Sequence, residues 1–363
     1  MIKDRKDYEM SNIKLNETPV RTSKKFNINN IRLENVEIPK KLEEFKNIRI
    51  SETGSKISID SNVSNSNLTY GLGDFFANQV NENSNYKANI IINSKTQKEV
   101  EINFKFDKEN SNLAENIEIT ANEGTKSTII LKYETDNNVE AYHNAVIRTI
   151  AKKNALLNVI IVNFMNEQSN NFISIENSFE DNSKINYIIV DFGGKNSITN
   201  YYSNIKGENA DNSLNTIYLG RNEQLFDLNY IGELYGKKSN IDIEVQGALK
   251  DNARKHFKGT IDFKKGCKKS TGNENENCML LSDRAKSLAL PMLLCSEEDV
   301  EGNHSSSAGK IGEKELFYIM SRGFELKEAM KLMVRAKFNK ILENVKNDEL
   351  KKQILEEIDK RLD

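Results

Sequence analysis

A near-constant stride through the middle of this 363-residue chain limits what it can fold into. The segments ALLNVI, SKINYI, SLNTI and SNIDI each set a small or polar residue before an alternating apolar run. Their Asn158, Asn186, Asn215 and Asp242 are 28, 29 and 27 residues apart, and the STII run from Ser127 lies about one step earlier. From about Tyr86 onward, runs such as VEINFKF, STIILKY, NFISIENSF and INYIIVDF show β-branched enrichment and period-two alternation, the pattern of short strands. A repeat of this size with two or more strands per unit predicts a β-solenoid, in which each coil hides its apolar face under the next. A β-sandwich also accommodates many short strands; the regular spacing favours the solenoid.

Other stretches read differently. Residues 1–80 look irregular and partly helical, with a short helix over 69–80 entered through glycines. The segment VEAYHNAVIRTIAKK within 138–153 reads as helix or strand. Lys264 to Asn277, KKGCKKSTGNENEN, has the polarity and small residues of a flexible loop. After Gly309 the pattern turns helical over Ile311–Met320, then from Leu326 to Val345, then through Leu350, Ile354, Ile358 and Leu362. The expected division is an N-terminal region to 80, a solenoid over 81–300 and a helical region over 301–363. From spacing alone the amphipathic tail reads first as a cap on the solenoid and second as a surface that docks a partner.

Composition and missing motifs narrow the function. Charged residues make up 29% with net charge −2, so no global field draws the chain to nucleic acid or an acidic membrane. Mean hydropathy is −0.64, and no apolar run approaches the ~20 residues of a spanning helix. The charged N-terminus lacks the core of a secretory signal. Three cysteines without a CxxC pair argue against a disulfide framework and for a reducing cytoplasm. Walker A, HExxH and GxSxG are absent, and Gly193-Gly194-Lys195 falls short of a phosphate loop. With only three histidines, the chain does not read as an enzyme.

The stretch from Asn277 to Gly323 gathers what chemistry there is: Cys278, Cys295, His304 and the acidic patch of Glu297, Glu298 and Asp299. Thiolate and imidazole suit iron, zinc and iron–sulfur clusters. Two ligands make at most half a site, so Cys278, an acidic residue or a second chain would have to complete it. The plainer readings are a surface-loop histidine at 304 and a small buried hydrophobe at Cys295 in an apolar strand. Cys278 fits either role. Cys267 reads as an exposed thiol whose neighbours Lys268 and Lys269 favour the thiolate.

The chain resembles the SufB/SufD family of iron–sulfur cluster assembly scaffolds, most closely its SufD-like side. The likeness runs through Lys250 to Arg254, HFKGTID from His256, MLLSDRA from Met279, Pro291, DVEGNH ending at His304, Gly309-Lys310-Ile311, and Leu316 through SRG at 321–323. Weaker matches lie at Leu15–Thr22, Phe192–Lys195 and Gly220–Phe226. The resemblance implies a right-handed parallel β-helix between helical ends. It implies a non-ATPase scaffold whose C-terminal helices bind a SufC-like ABC ATPase through Leu316, Phe317, Tyr318, Arg322, Leu332 and Phe338. It further implies pairing with a SufB-like subunit or a second copy, and a transient iron or iron–sulfur cluster shared between subunits. His304 falls on the family's loop histidine, and such a ligand weakens as the imidazole protonates near pH ~6.5. The family's loop cysteine two residues before it is absent, Gly302 standing there, and Cys295 or Cys278 are the thiols in reach along the chain. The SufB-like cysteine falls nearest Glu276. A solenoid interaction protein without cluster chemistry, or a carbohydrate-active β-helix, is the alternative; the latter needs a repeated acidic and aromatic groove that the sequence does not show.

Overall fold

The computed structural model describes the chain apart from residues 1–7, 21–27, 54–57, 66, 96–97 and 137. Before the solenoid lie β1 (Tyr8–Leu15), β2 (Ile31–Pro39), β3 (Ile48–Thr53), β4 (Ser58–Asp60) and α1 (Asp74–Asn83). The solenoid comprises β5 (Tyr86–Ile92), β6 (Lys98–Phe106), β7 (Asn112–Ala121), β8 (Lys126–Thr135), β9 (Tyr142–Ala151), β10 (Leu156–Phe164), β11 (Asn170–Phe179) and β12 (Lys184–Asp191). It continues through β13 (Asn196–Ile205), β14 (Asp211–Gly220), β15 (Leu225–Leu234), β16 (Asn240–Leu249), β17 (Arg254–Phe263), β18 (Ser270–Leu280), β19 (Lys286–Cys295) and β20 (Val300–Lys310). The helices α2 (Glu313–Ser321), α3 (Leu326–Leu342) and α4 (Asp348–Leu362) follow.

From β5 to β20 successive strands alternate between two sheets and pair in parallel with the strand two places on, making eight coils. The fold is therefore mainly β and a parallel β-solenoid with a helical C-terminal segment, as the stride predicts. Inward residues such as Val159, Tyr187, Leu214 and Ile243 fill one continuous core. Register corrects one detail of the repeat. Asn158 pairs with Asn186, Asn186 with Ser213 and Ser213 with Asp242, so Asn215 sits two places past its assigned rung. A two-residue offset keeps the same face, which is why the stride survived it.

Turns carry a second periodic signal. Asn154, Asn182, Asn209, Lys238 and Lys269 each adopt positive φ, between 54° and 61°. The first four donate their amides to Asp181, Glu208, Lys237 and Lys268 of the next turn. Asn tolerates the left-handed region better than most residues.

Both outer faces are partly covered. On the even-numbered sheet, Ile160, Ile188, Ile217 and Ala248 pack under Val334, Phe338, Ile354 and Ile358 of α3 and α4. On the odd-numbered sheet, Phe172 and Ile198 pack under Leu33, Val36, Leu72 and Phe76. Asn16 pins this N-terminal strap: its side chain donates to Asp227 Oδ1 at 2.5 Å, and Lys258 Nζ donates to its carbonyl at 2.8 Å.

Several expectations change. Residues 142–151 form β9, the strand alternative for that stretch. Within 1–80, β1 and β2 form an antiparallel pair and α1 is the helix expected after the glycines. Arg21 and Thr22 of the N-terminal resemblance lie outside the described residues. The segment expected as a flexible loop is a turn followed by β18, because STGNENEN alternates and its polar residues other than Glu274 find partners. The solenoid also runs past residue 300: β20 ends at Lys310, so His304 stands on a strand, not in a loop.

Candidate functional site at the open end of the solenoid

The last coil, β19 and β20, is the edge of both sheets; among the described residues no strand pairs with their far sides. Almost all of β20 is exposed, while the β18 residues beneath it alternate between buried and half-buried. Period-two alternation sorts the two layers. On β18 the inward row is Gly272, Glu274, Glu276 and Cys278, and register places Gly302, His304, Ser306 and Ala308 of β20 over it. On β17 the inward row includes Lys255, Phe257, Ile261 and Phe263, and Ser287, Ala289, Leu293 and Cys295 of β19 lie over it. His304 and Cys295 therefore face the mouth of the lumen, exposed because no further coil covers them.

The floor of this mouth is charged. Lys255 and Glu276, both fully buried, pair at 2.6 Å. Glu276 also accepts from Tyr218 Oη at 3.2 Å and Ser306 Oγ at 2.7 Å. Cys278 is 2% exposed, and burial pushes its thiol up, opposed by the Lys255 ammonium and the Tyr218 hydroxyl. Glu274 is also 2% exposed, but neither of its carboxylate oxygens has a hydrogen-bond partner. Burial, with Glu276 nearby, raises its carboxyl to about 8.

The structure separates the expected ligands. Cys278 pairs with Ala308, four positions along from His304, about 13 Å at strand rise. Cys295 lies at the end of β19 in the opposite sheet, its thiol donating to the Glu297 carbonyl at 2.9 Å. Among the described residues no three His, Cys, Asp or Glu side chains converge as a metal cluster. The described residues thus do not by themselves enclose an iron or cluster site. Cys267 is buried, not exposed, and burial raises its thiol to about 11, against the thiolate expected from its lysine neighbours. Glu274, Glu276 and Lys255 are the side chains that sequence reading passed over. The alternation in STGNENENC, which puts both glutamates on one face with Cys278, was the available signal.

The second surface is α2 and the start of α3. No residue of α2 is buried; Phe317 is 74% and Tyr318 58% exposed, and Leu316 is half-buried. Arg322 is exposed and donates to the Tyr318 hydroxyl at 2.7 Å; Leu332 is also exposed. Phe338 differs from its expected docking role. It is fully buried and stacks with Phe192 at 6.3 Å, seating α3 on the solenoid.

The fold is a parallel solenoid whose last coil lies uncovered over a charged floor, followed by an exposed helix. A family model for the SUF system of iron–sulfur cluster assembly, SufBD core domain, matches residues 104–337, and the chain belongs to that family. Among curated relatives, the iron–sulfur cluster assembly protein SufD of Bacillus subtilis is 25% identical over 246 residues, 67% of this chain and 56% of that protein. SufD of Escherichia coli is 24% identical over 241 residues, covering 66% and 57% respectively. A SufBD family protein of Pyrococcus horikoshii is 30% identical over 154 residues, 42% of this chain and 33% of that protein. The chain spans little more than half the length of the two SufD relatives. Among the described residues, no helix is long and apolar enough to cross a membrane.

Proposed function

We propose that this chain is a SufD-like scaffold subunit of a cytoplasmic SufBCD-like complex that assembles and transfers iron–sulfur clusters, without being an enzyme itself. One observation carries the reading: the last coil of an otherwise covered stack is bare, and it presents His304 and Cys295 together with two unpaired strand edges. Unpaired edges recruit further strands, so β19 and β20 pair with a SufB-like subunit or a second copy. The exposed Phe317, Tyr318 and Leu332, with Arg322, dock a SufC-like ATPase, as aromatic and Arg anchors do at interfaces. The covered faces and the N-terminal strap hold the mouth rigid between these two partners.

Iron or a nascent cluster is cargo here. Neutral His304 supplies one ligand, and the partner's groups complete what this chain leaves open. Cys295 is the accessible thiol; Cys278 becomes available only if β20 moves off β18. Nucleotide-driven closure of the ATPase shifts the two scaffolds and gates the site. His304→Ala leaves the melting temperature unchanged and lowers cluster assembly by the reconstituted complex at least about tenfold, a loss even outer partners of a metal produce. Wild-type assembly by that variant ends the site assignment. A purely structural subunit would yield no iron or sulfide on anaerobic analysis of the complex.

A further inference from the structure

We propose that Glu274 is a cargo ligand of the mouth: its carboxylate, with the His304 imidazole above it, holds a divalent cation, ferrous iron if the function proposed above is right. The proposal rests on that reading for the identity of the ion, and on geometry for the site. Glu274 is the one inward carboxylate of the last two coils with no partner on either oxygen; Glu276, two residues on, has Lys255, Tyr218 and Ser306. A buried carboxyl without a hydrogen bond is costly and calls for a missing ion or water.

Its niche is shaped for it. A Cβ at Gly259 would stand 2.0 Å from Glu274 Oε2, so the carboxylate lies against bare backbone across the lumen. Register stacks His304 directly over Glu274 on the neighbouring strand, ~4.8 Å away. His304 is exposed at the rim, and Glu274 is buried one strand below it. The nearby Lys255 ammonium is neutralised by Glu276 and does not repel an ion at Glu274. Carboxylate and imidazole together suit ferrous, manganous, cobaltous and zinc ions. With no third ligand converging among the described residues, the remaining positions stay open to water, sulfide or a partner's groups. That suits an ion meant to be handed on.

The test uses the full chain under anaerobic conditions with cobaltous ion as probe, followed by absorption and calorimetry. One ion per chain is expected, with ligand-field bands of nitrogen and oxygen donors and no thiolate-to-metal charge-transfer band. Glu274→Gln and His304→Ala each weaken binding at least about tenfold. Glu274→Asp, which keeps the charge but shortens the reach, also weakens it, and thermal melts confirm that each variant is folded. Wild-type affinity in Glu274→Gln with loss in His304→Ala overturns this inference and leaves the proposed function standing. Unchanged binding in both variants overturns both. A thiolate band reassigns the site to a cysteine and overturns the inference, and so does the absence of binding by the wild-type chain.

Discussion

The two ends of the solenoid are built from the same coil and finished in opposite ways. At the first end, β3 and β4 lie antiparallel against β6 and β5. There Phe45 closes the lumen, edge-on to Phe106 at 5.1 Å and to Phe104 at 6.3 Å. At the last end the floor is an ion pair and a lone carboxyl, and the strands above it are bare. An apolar floor must be sealed, because exposed rings and free edges invite aggregation. A charged floor tolerates water and can be left open for a partner. The chemistry of the terminal lumen thus decides which end is capped and which stays open.

The largest test breaks the charged floor. Lys255→Met strands Glu276 as a buried, uncompensated charge and costs about 3–5 kcal/mol in urea unfolding. Glu276 keeps its hydroxyl partners, so a loss below about 1 kcal/mol would mean that water reaches the floor. At the opposite end, Phe45→Ala opens the seal and costs about 3 kcal/mol, the low end for a buried ring, because this ring sits at the rim of the core.

A smaller effect separates the middle of the stack from both ends. Burial raises the Asp191 carboxyl from 3.8 to about 6, despite hydrogen bonds from Ser197 and Asn163. The folded chain then binds this proton more tightly than the unfolded chain does. Its contribution is fully present below about pH 4 and is lost as pH rises through about 6. Asp191→Asn flattens that part of the stability profile, measured by thermal melts across the interval. The smallest effect on folding is at the open mouth. Leu293→Ala, partly exposed already, changes stability by less than about 1 kcal/mol. It weakens association with the proposed second scaffold, measured by sedimentation.

The coil itself was legible because its period is written twice, in the alternating apolar runs and in the left-handed turn residues. The helical tail was legible from its stripes. The last coil was not. STGNENEN carries no apolar face, so its strand character comes from pairing with β16 and β20 and from the Lys255 partner of Glu276, contacts across the coils that no local pattern reports. His304 was singled out in the sequence, but its place on a strand follows from the same pairing. The exposure of Cys295 and the burial of Cys267 were missed for a related reason. Apolar neighbours suggested burial for one and lysines suggested exposure for the other, while their positions are set by where the stack stops. Phe338 looked like its neighbours on the stripe, and only the seating of α3 on Phe192 distinguishes it.

The stacked left-handed turns have a consequence for how such a chain changes length. Each turn bonds to the one above, so whole coils can be added or deleted in the interior without redesigning either terminus. Every such event would slide the mouth by one strand spacing, ~4.8 Å, relative to the seal around Phe45. The coil count is therefore a ruler, fixing how far from its sealed base the chain sets its open mouth.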